Sequence, residues 1–242
     1  MAQLGTPITV LPNDVYDISS DAKVDVGQLA VTADGKKYRY AQAGGTALAA
    51  GKLAVTATQV ANHEDMAVAS AAAVGAKTVT VTLGATEATA NQYTCGYLVI
   101  NNEAGEGIAY RIASHPAAES AASLVVTLED KAGVQVALTT SSKASLVKNK
   151  YSDVVISASD QLDVPVGIPN VEITTEYYGW LQVGGACSAL ADETLAIGAS
   201  LTIGDSTGGA VGTADASGEP IVGHAFQAGV DTEYRLVDLC ID

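Results

Sequence analysis

A 242-residue chain with 27 acidic against 12 basic residues, and so a formal net charge of −15, is a poor binder of polyanions. Affinity for nucleic acid comes from Lys and Arg displacing counterions, and here they are scarce. Hydrophobic residues make up 48% of the chain but aromatics only 5%, so the core has to be built from Val, Leu, Ile and Ala in thin layers that suit sheets.

Residues 1–7 lack the basic segment and apolar run of a secretory leader, and no stretch reaches the roughly 18–20 apolar residues of a membrane-spanning helix. Three cysteines, Cys95, Cys187 and Cys240, form neither a paired framework nor a metal spacing. Synthesis in a reducing compartment is the simplest reading.

Three zones follow in chain order, at 1–67, 68–158 and 159–242. The first opens with 28 polar, weakly periodic residues carrying Pro7 and Pro12, which suits an extended arm. Two alternating runs then flank Asp34-Gly35, a strong hairpin signal across 29–40. In the second zone, residues 77–83 alternate strictly, with Val79, Val81 and Leu83 on one face. A hairpin is expected at 96–112 around the Gly-rich loop 101–107. Pro116 opens an Ala-rich stretch that predicts a short helix near 115–123. Further strands are expected at 124–128, 145–147 and 154–156, and the basic cluster 143–150 reads as a solvated strand edge.

Pro165 and Pro169, with Gly167 between them, predict a linker or crossing between lobes. The third zone holds Tyr177-Tyr178-Gly179-Trp180, read as a strand that runs into a turn at Gly184-Gly185. Short strands near 195–198, 201–204, 221–225 and 234–237 complete the pattern. Many short strands with closely spaced turns make this an all-β chain: two small barrel or sandwich lobes, an N-terminal arm and hairpin, and one minor helix. Tyr93 to Leu98 also echoes Tyr177 to Leu181, each with an aromatic and a leucine after glycine.

Motifs for chemistry are few. His63, His115 and His224 are too far apart in sequence for a metal-ligand spacing, and His224, inside the apolar run 221–226, is the best candidate for a buried histidine. Residues 204–208 match Gly-x-Ser-x-Gly with Ser206 in the nucleophile position, but a turn is favoured because no helical pattern follows. The acidic pairs Asp14/Asp17, Glu64/Asp65 and Asp192/Glu193 lack a calcium-loop pattern and read as surface acids. No catalytic residue, cofactor or metal is expected, and no nucleic-acid or membrane partner.

Taken in order, several segments resemble virion proteins of tailed bacteriophages. They are 34–40, 43–44, 50–53, 79–82, 90–93 with 96–98, 105–107 before 110–112, 114–116, 127–130, 137–140, 178–180 and 228–234. The resemblance runs through nearly the whole chain from about residue 30, and its specificity lies in the order of the pieces.

Proteins of this kind are described as phage structural proteins, and the nearest functional notion is a capsid decoration, or cement, protein. The resemblance implies a non-enzymatic protein made in the host cytoplasm. It would sit on the outer capsid surface of the virion, bridge major capsid subunits, and form a homotrimer. A head-fibre or tail-associated adhesin contacting the host surface is the alternative. Large amphipathic aromatics are enriched at interfaces, which makes Tyr38, Tyr40, Tyr177, Tyr178 and Trp180 candidate subunit contacts. Trp180 is at least as well suited to the core of its own lobe, given how strongly Trp is buried on average.

Overall fold

The structure, a computed structural model, describes residues 6–159 and 163–242. These divide into two compact units, one made of the described residues of Met1–Ala57 and Lys150–Asp242, the other of Thr58–Asn149. Both are all-β. The zones read along the sequence differ from these units because the first and last segments of the chain share one sheet.

Among its described residues the Thr58–Asn149 unit forms a six-stranded antiparallel sheet, in the order Met66–Ala67, Lys143–Val147, Tyr97–Asn102, Ala109–Ser114, Ser123–Leu128, Thr78–Thr82. Its ends meet at a bridge between Val68 and Val81, where Ala69 N–H donates to Thr80 O at 2.8 Å, so the sheet is a nearly closed barrel. Closure removes the unpaired edges that an open sheet would present. Alternation fills the interior: Val79, Val81, Leu98, Ile100, Tyr110, Ile112, Leu124 and Val126 all point inward and are buried. The hairpin at 96–112 forms as the sequence predicts, with positive φ at Glu103, Gly105 and Gly107 in its loop.

The short helix expected at 115–123 is absent. Ala118 instead bridges Ala88, Ala121 takes a left-handed φ of 59°, and Ser123 already begins a strand. Pairing has overridden the local helical propensity of alanine. The basic cluster also differs from expectation. Lys143 and Ala144 have partner strands on both sides, the rest of Lys143–Val147 pairs with Tyr97–Asn102, and Lys148 and Lys150 lie beyond the strand, so only part of the cluster is at an edge.

The other unit is organised on one long strand, Tyr178–Leu190. Its first half pairs with Lys37–Gln42, and its second half with Tyr234–Cys240. Gly184-Gly185 therefore continues the strand, opposite Cys240 and Leu239, and is not the turn that paired glycines suggest; the ladder to Lys37–Gln42 is bulged just before it, between Gln182 and Gly184. Gly185 has φ +83°, and the buried Gln182 amide donates to the carbonyls of Gly184, Gly185 and Ala186 at 3.2, 3.2 and 2.9 Å. The side chain thus satisfies acceptors that the irregular backbone would otherwise leave unpaired.

Pro165–Pro169 is likewise a fully buried strand, paired with Tyr178–Leu190 and with Ala54–Val55, and not a linker. Pro165 is tolerated at the start of the strand, where the register to Ala54–Val55 is broken between Pro165 and Gly167, and Pro169 closes the strand at its last position. Gln161 and Leu162, part of the same expectation, lie outside the described residues. The segment 195–198, expected as a strand, is a turn leading into Ser200–Ile203.

The Leu29–Val31 and Lys37–Gln42 hairpin forms around Asp34-Gly35 as predicted, with Gly35 at φ +83°. Thr32 Oγ1 donates to Asp34 at 2.5 Å, and this bond foremost holds the Asp34 carboxyl below the ordinary range. The described part of the N-terminal stretch is not a free arm. Ile8–Thr9 pairs in parallel with Leu29–Val31, and Val10 and Val15 pack against Tyr38, Tyr40 and Trp180.

One local device recurs in both units. An apolar residue makes a reciprocal two-hydrogen-bond bridge, a tight turn follows, and a strand begins a few residues later. The bridged pairs are Leu48 with Ile173, Ala72 with Leu138, and Ala88 with Ala118. Three residues after the bridge, the backbone is left-handed at Gly51, Gly75, Asn91, Ala121 and Glu176. The echo between Tyr93–Leu98 and Tyr177–Leu181 follows two copies of this device, those at Ala88 and Ile173.

Candidate functional site

The predicted aromatic residues gather in the Met1–Ala57 and Lys150–Asp242 unit because Trp180 lies opposite Tyr40, and Tyr178 opposite Gln42, on paired strands. The Tyr40 and Trp180 rings meet edge to face with centroids 4.9 Å apart, and Tyr40 stacks on Tyr178 at 6.0 Å. Tyr38, Tyr40 and Trp180 are buried within the protomer, at 2, 3 and 7% exposure. Tyr177, exposed, and Tyr178, half-buried, remain accessible. A cavity of about 360 Å³ opens beside Trp180 and Tyr40, with Asp14, Asp17 and Lys23 among its lining residues. Burial raises the Tyr40 phenol, which stays neutral and accepts a hydrogen bond from Lys23 N–H at 3.2 Å.

A second cavity of the same unit, about 550 Å³, has a polar wall that no sequence motif announces. Tyr16 and Tyr234, each about half exposed, line it with Lys36, Asn170, Gln182 and Ser188. The Tyr234 ring lies against the backbone of Gly51, where a Cβ would come within 2.6 Å of it. Asn170 Nδ2 donates to Tyr38 Oη at 3.2 Å and to Gln182 Oε1 at 3.4 Å, while its Oδ1 faces the Cys187 thiol at 3.8 Å. Burial pushes both Tyr38 and Cys187 up to about 12, so phenol and thiol are neutral and the thiol is not a nucleophile.

The histidines reverse the sequence expectation. His224 is exposed on Gly223–Ala225, where alternation turns it outward, whereas His63 and His115 are buried in the Thr58–Asn149 unit around Tyr93. Tyr93 Oη contacts His63 Nδ1 at 2.5 Å, and His63 Nε2 lies 3.0 Å from Thr86 O. Tyr93 N–H donates to His115 Nε2 at 3.0 Å, and His115 Nδ1 lies 2.8 Å from Pro116 O. A carbonyl can only accept, which places the proton of each neutral ring on the nitrogen facing it. Burial is the main cause that holds His115 below the ordinary histidine value. These bonds fasten loops to the barrel and leave no ring nitrogen open to a substrate.

Ser206 is held by Asp192, not by a histidine. Its hydroxyl donates to Asp192 Oδ1 at 2.9 Å, and the N–H groups of Asp205 and Ser206 donate to Oδ2 at 2.8 and 2.9 Å. Burial opposes ionisation of Asp192, but the bonds from Ser206, Thr207 and Asp205 outweigh it and lower the carboxyl. Strand Val211–Thr213 follows, so the helix of a nucleophile elbow is missing. Glu193, the other member of that acidic pair, accepts from Thr213 N–H at 2.7 Å. Among the described residues no three His, Cys, Asp or Glu side chains are grouped to hold a metal.

No protein-family model matches the chain, and no curated protein matches it. Among solved structures, the chain is similar to the head fiber gp8.5 N base in bacteriophage phi29, with a TM-score of 0.29 and 10% sequence identity, over 68% of this chain and 96% of that one.

Proposed function

We propose that this chain is a non-enzymatic structural protein of a tailed-phage virion, attached to the outer surface of the head. The observation that carries the reading is the ordered set of segments, from 34–40 to 228–234, shared in pattern with such proteins. The acidity agrees with it, since a charge of −15 is repelled by packaged DNA inside a shell and is harmless outside. So does the exposure of Leu11, Tyr16 and Ile18 on the N-terminal segment, three large apolar side chains close together in an acidic stretch.

In its cement form the protein bridges major capsid subunits as a homotrimer. Contacts made in the mature shell then add stability by mass action, and repeated attachments multiply the effect. The Leu11 and Ile18 side chains, with Tyr177 and Tyr178, are the contacts assigned to the partner or to a second copy. A second reading, a head fibre that touches the host surface, is favoured by the polar cavity between Tyr16 and Tyr234. Copy number separates the two: cement occupies symmetric sites in hundreds of copies or so, a fibre far fewer. Purified chain added to heads lacking it tests attachment. Leu11→Asp with Ile18→Asp should abolish binding in a chain that still folds, and unchanged binding would overturn the assignment of this segment.

A further inference from the structure

The cavity between Tyr16 and Tyr234 combines three features that one ligand class needs together. Two phenol rings on its wall offer apolar faces for C–H groups. The half-buried Asn170 amide brings a donor and an acceptor to the same space, held from behind by the buried Gln182, and Ser188 adds an exposed hydroxyl. The Asn170 bonds are long, at 3.2 and 3.4 Å from its nitrogen, and the thiol is a weak donor to its oxygen, so this amide has capacity left for better partners.

Charge narrows the choice. Lys36 is the cation of the cavity wall, and it is engaged by Asp34 at 3.4 Å, in a chain of net charge −15. Anionic ligands are therefore disfavoured. Rings with apolar faces and a rim of hydroxyls match what remains. We propose that this cavity binds an uncharged pyranose, the hexose unit of a glycan, with one sugar face against the Tyr234 or Tyr16 ring and vicinal hydroxyls on the Asn170 amide. A volume of about 550 Å³ lies within the usual range of small-molecule sites. Glycine at 51 is part of the design, because any side chain there would displace the Tyr234 ring.

This inference bears on contact with a host surface and does not depend on head attachment. Saturation-transfer NMR of the full chain with the methyl glycosides of glucose, galactose and N-acetylglucosamine tests it. Transfer to at least one of them is expected, with apparent affinity weakened about tenfold or more by Tyr234→Ala and by Asn170→Ala. Ser188→Trp, at an exposed position, should block the cavity and give the same loss should either of the other variants fail to fold. No transfer from any of the three sugars, or transfer that survives in the folded variants, would overturn the site. Head occupancy measured with Tyr234→Ala reads attachment separately and should be unchanged.

Discussion

Trp180 gains its place from residues far away in sequence, with Tyr40 on the paired strand and Val10 and Val15 from the N-terminal segment closing over it. Truncating it leaves a cavity in a small hydrophobic cluster, so Trp180→Ala should destabilise the isolated protomer by about 3–5 kcal/mol. Chemical denaturation of the monomer measures this; an unfolding midpoint that does not move would return Trp180 to an interface role. The same packing changes the expectation for the N-terminus. Deleting residues 1–28 removes part of a core and not a free arm, which is why surface substitutions are the cleaner probe of attachment.

His115 makes a pH prediction whose sign follows from its geometry. Its native pKa lies below the unfolded value, so the unfolded chain binds more protons in the acid range and stability rises with pH. The contribution is fully present above about pH 6.5 and is lost as pH falls through the native pKa. Protonation would place a second N–H against the Tyr93 N–H, which now donates to Nε2. Thermal unfolding between pH 8 and pH 5 should therefore be steeper for the native chain than for His115→Gln; equal slopes would contradict this account.

Elements show where sequence reasoning succeeded and where packing decided instead. Residues 77–83 and the Asp34-Gly35 hairpin were legible because alternation and turn chemistry are local, and both act within a few residues. Gly184-Gly185 was not, because whether two glycines end a strand or carry it on past a bulge depends on Lys37–Gln42 and Tyr234–Cys240, the partners on either side. Gln182, which stabilises that bulge, has no sequence signal at all. Gln182→Leu should cost about 1–3 kcal/mol by leaving buried carbonyls unpaired, checked by equilibrium unfolding. A neutral result would mean the bulge carbonyls find other donors.

The recurring bridge-and-turn device carries its own prediction. Ala121 holds a left-handed φ of 59° that a Cβ resists by about 1–2 kcal/mol, while glycine in an ordered chain costs roughly half as much. Ala121→Gly should thus raise stability by about 0.5–1 kcal/mol, a rare stabilising change to glycine. The left-handed position is glycine in two copies, Gly51 and Gly75, which is the sequence trace of the device. Asn91, Ala121 and Glu176 hide it in the others, so the repeat emerges only once the bridges are seen.

At the scale of the molecule, the all-β class followed from composition and turn spacing, but the assembly of each unit did not. Tyr16, Asn170 and Tyr234 lie far apart in the chain and meet on one cavity only because the Met1–Ala57 and Lys150–Asp242 segments share a sheet. Pro165 and Pro169 misled for the same reason, since a buried strand between two partners resembles a linker when read alone. Charge acts globally too, and a surface this acidic is compatible with the outside of a DNA-filled shell. The most direct test of the proposed function is to look for this chain in density for an intact tailed-phage particle. The account predicts the two β units on the outer face of the head; absence from the particle, or a position on the inner face against the DNA, would contradict it.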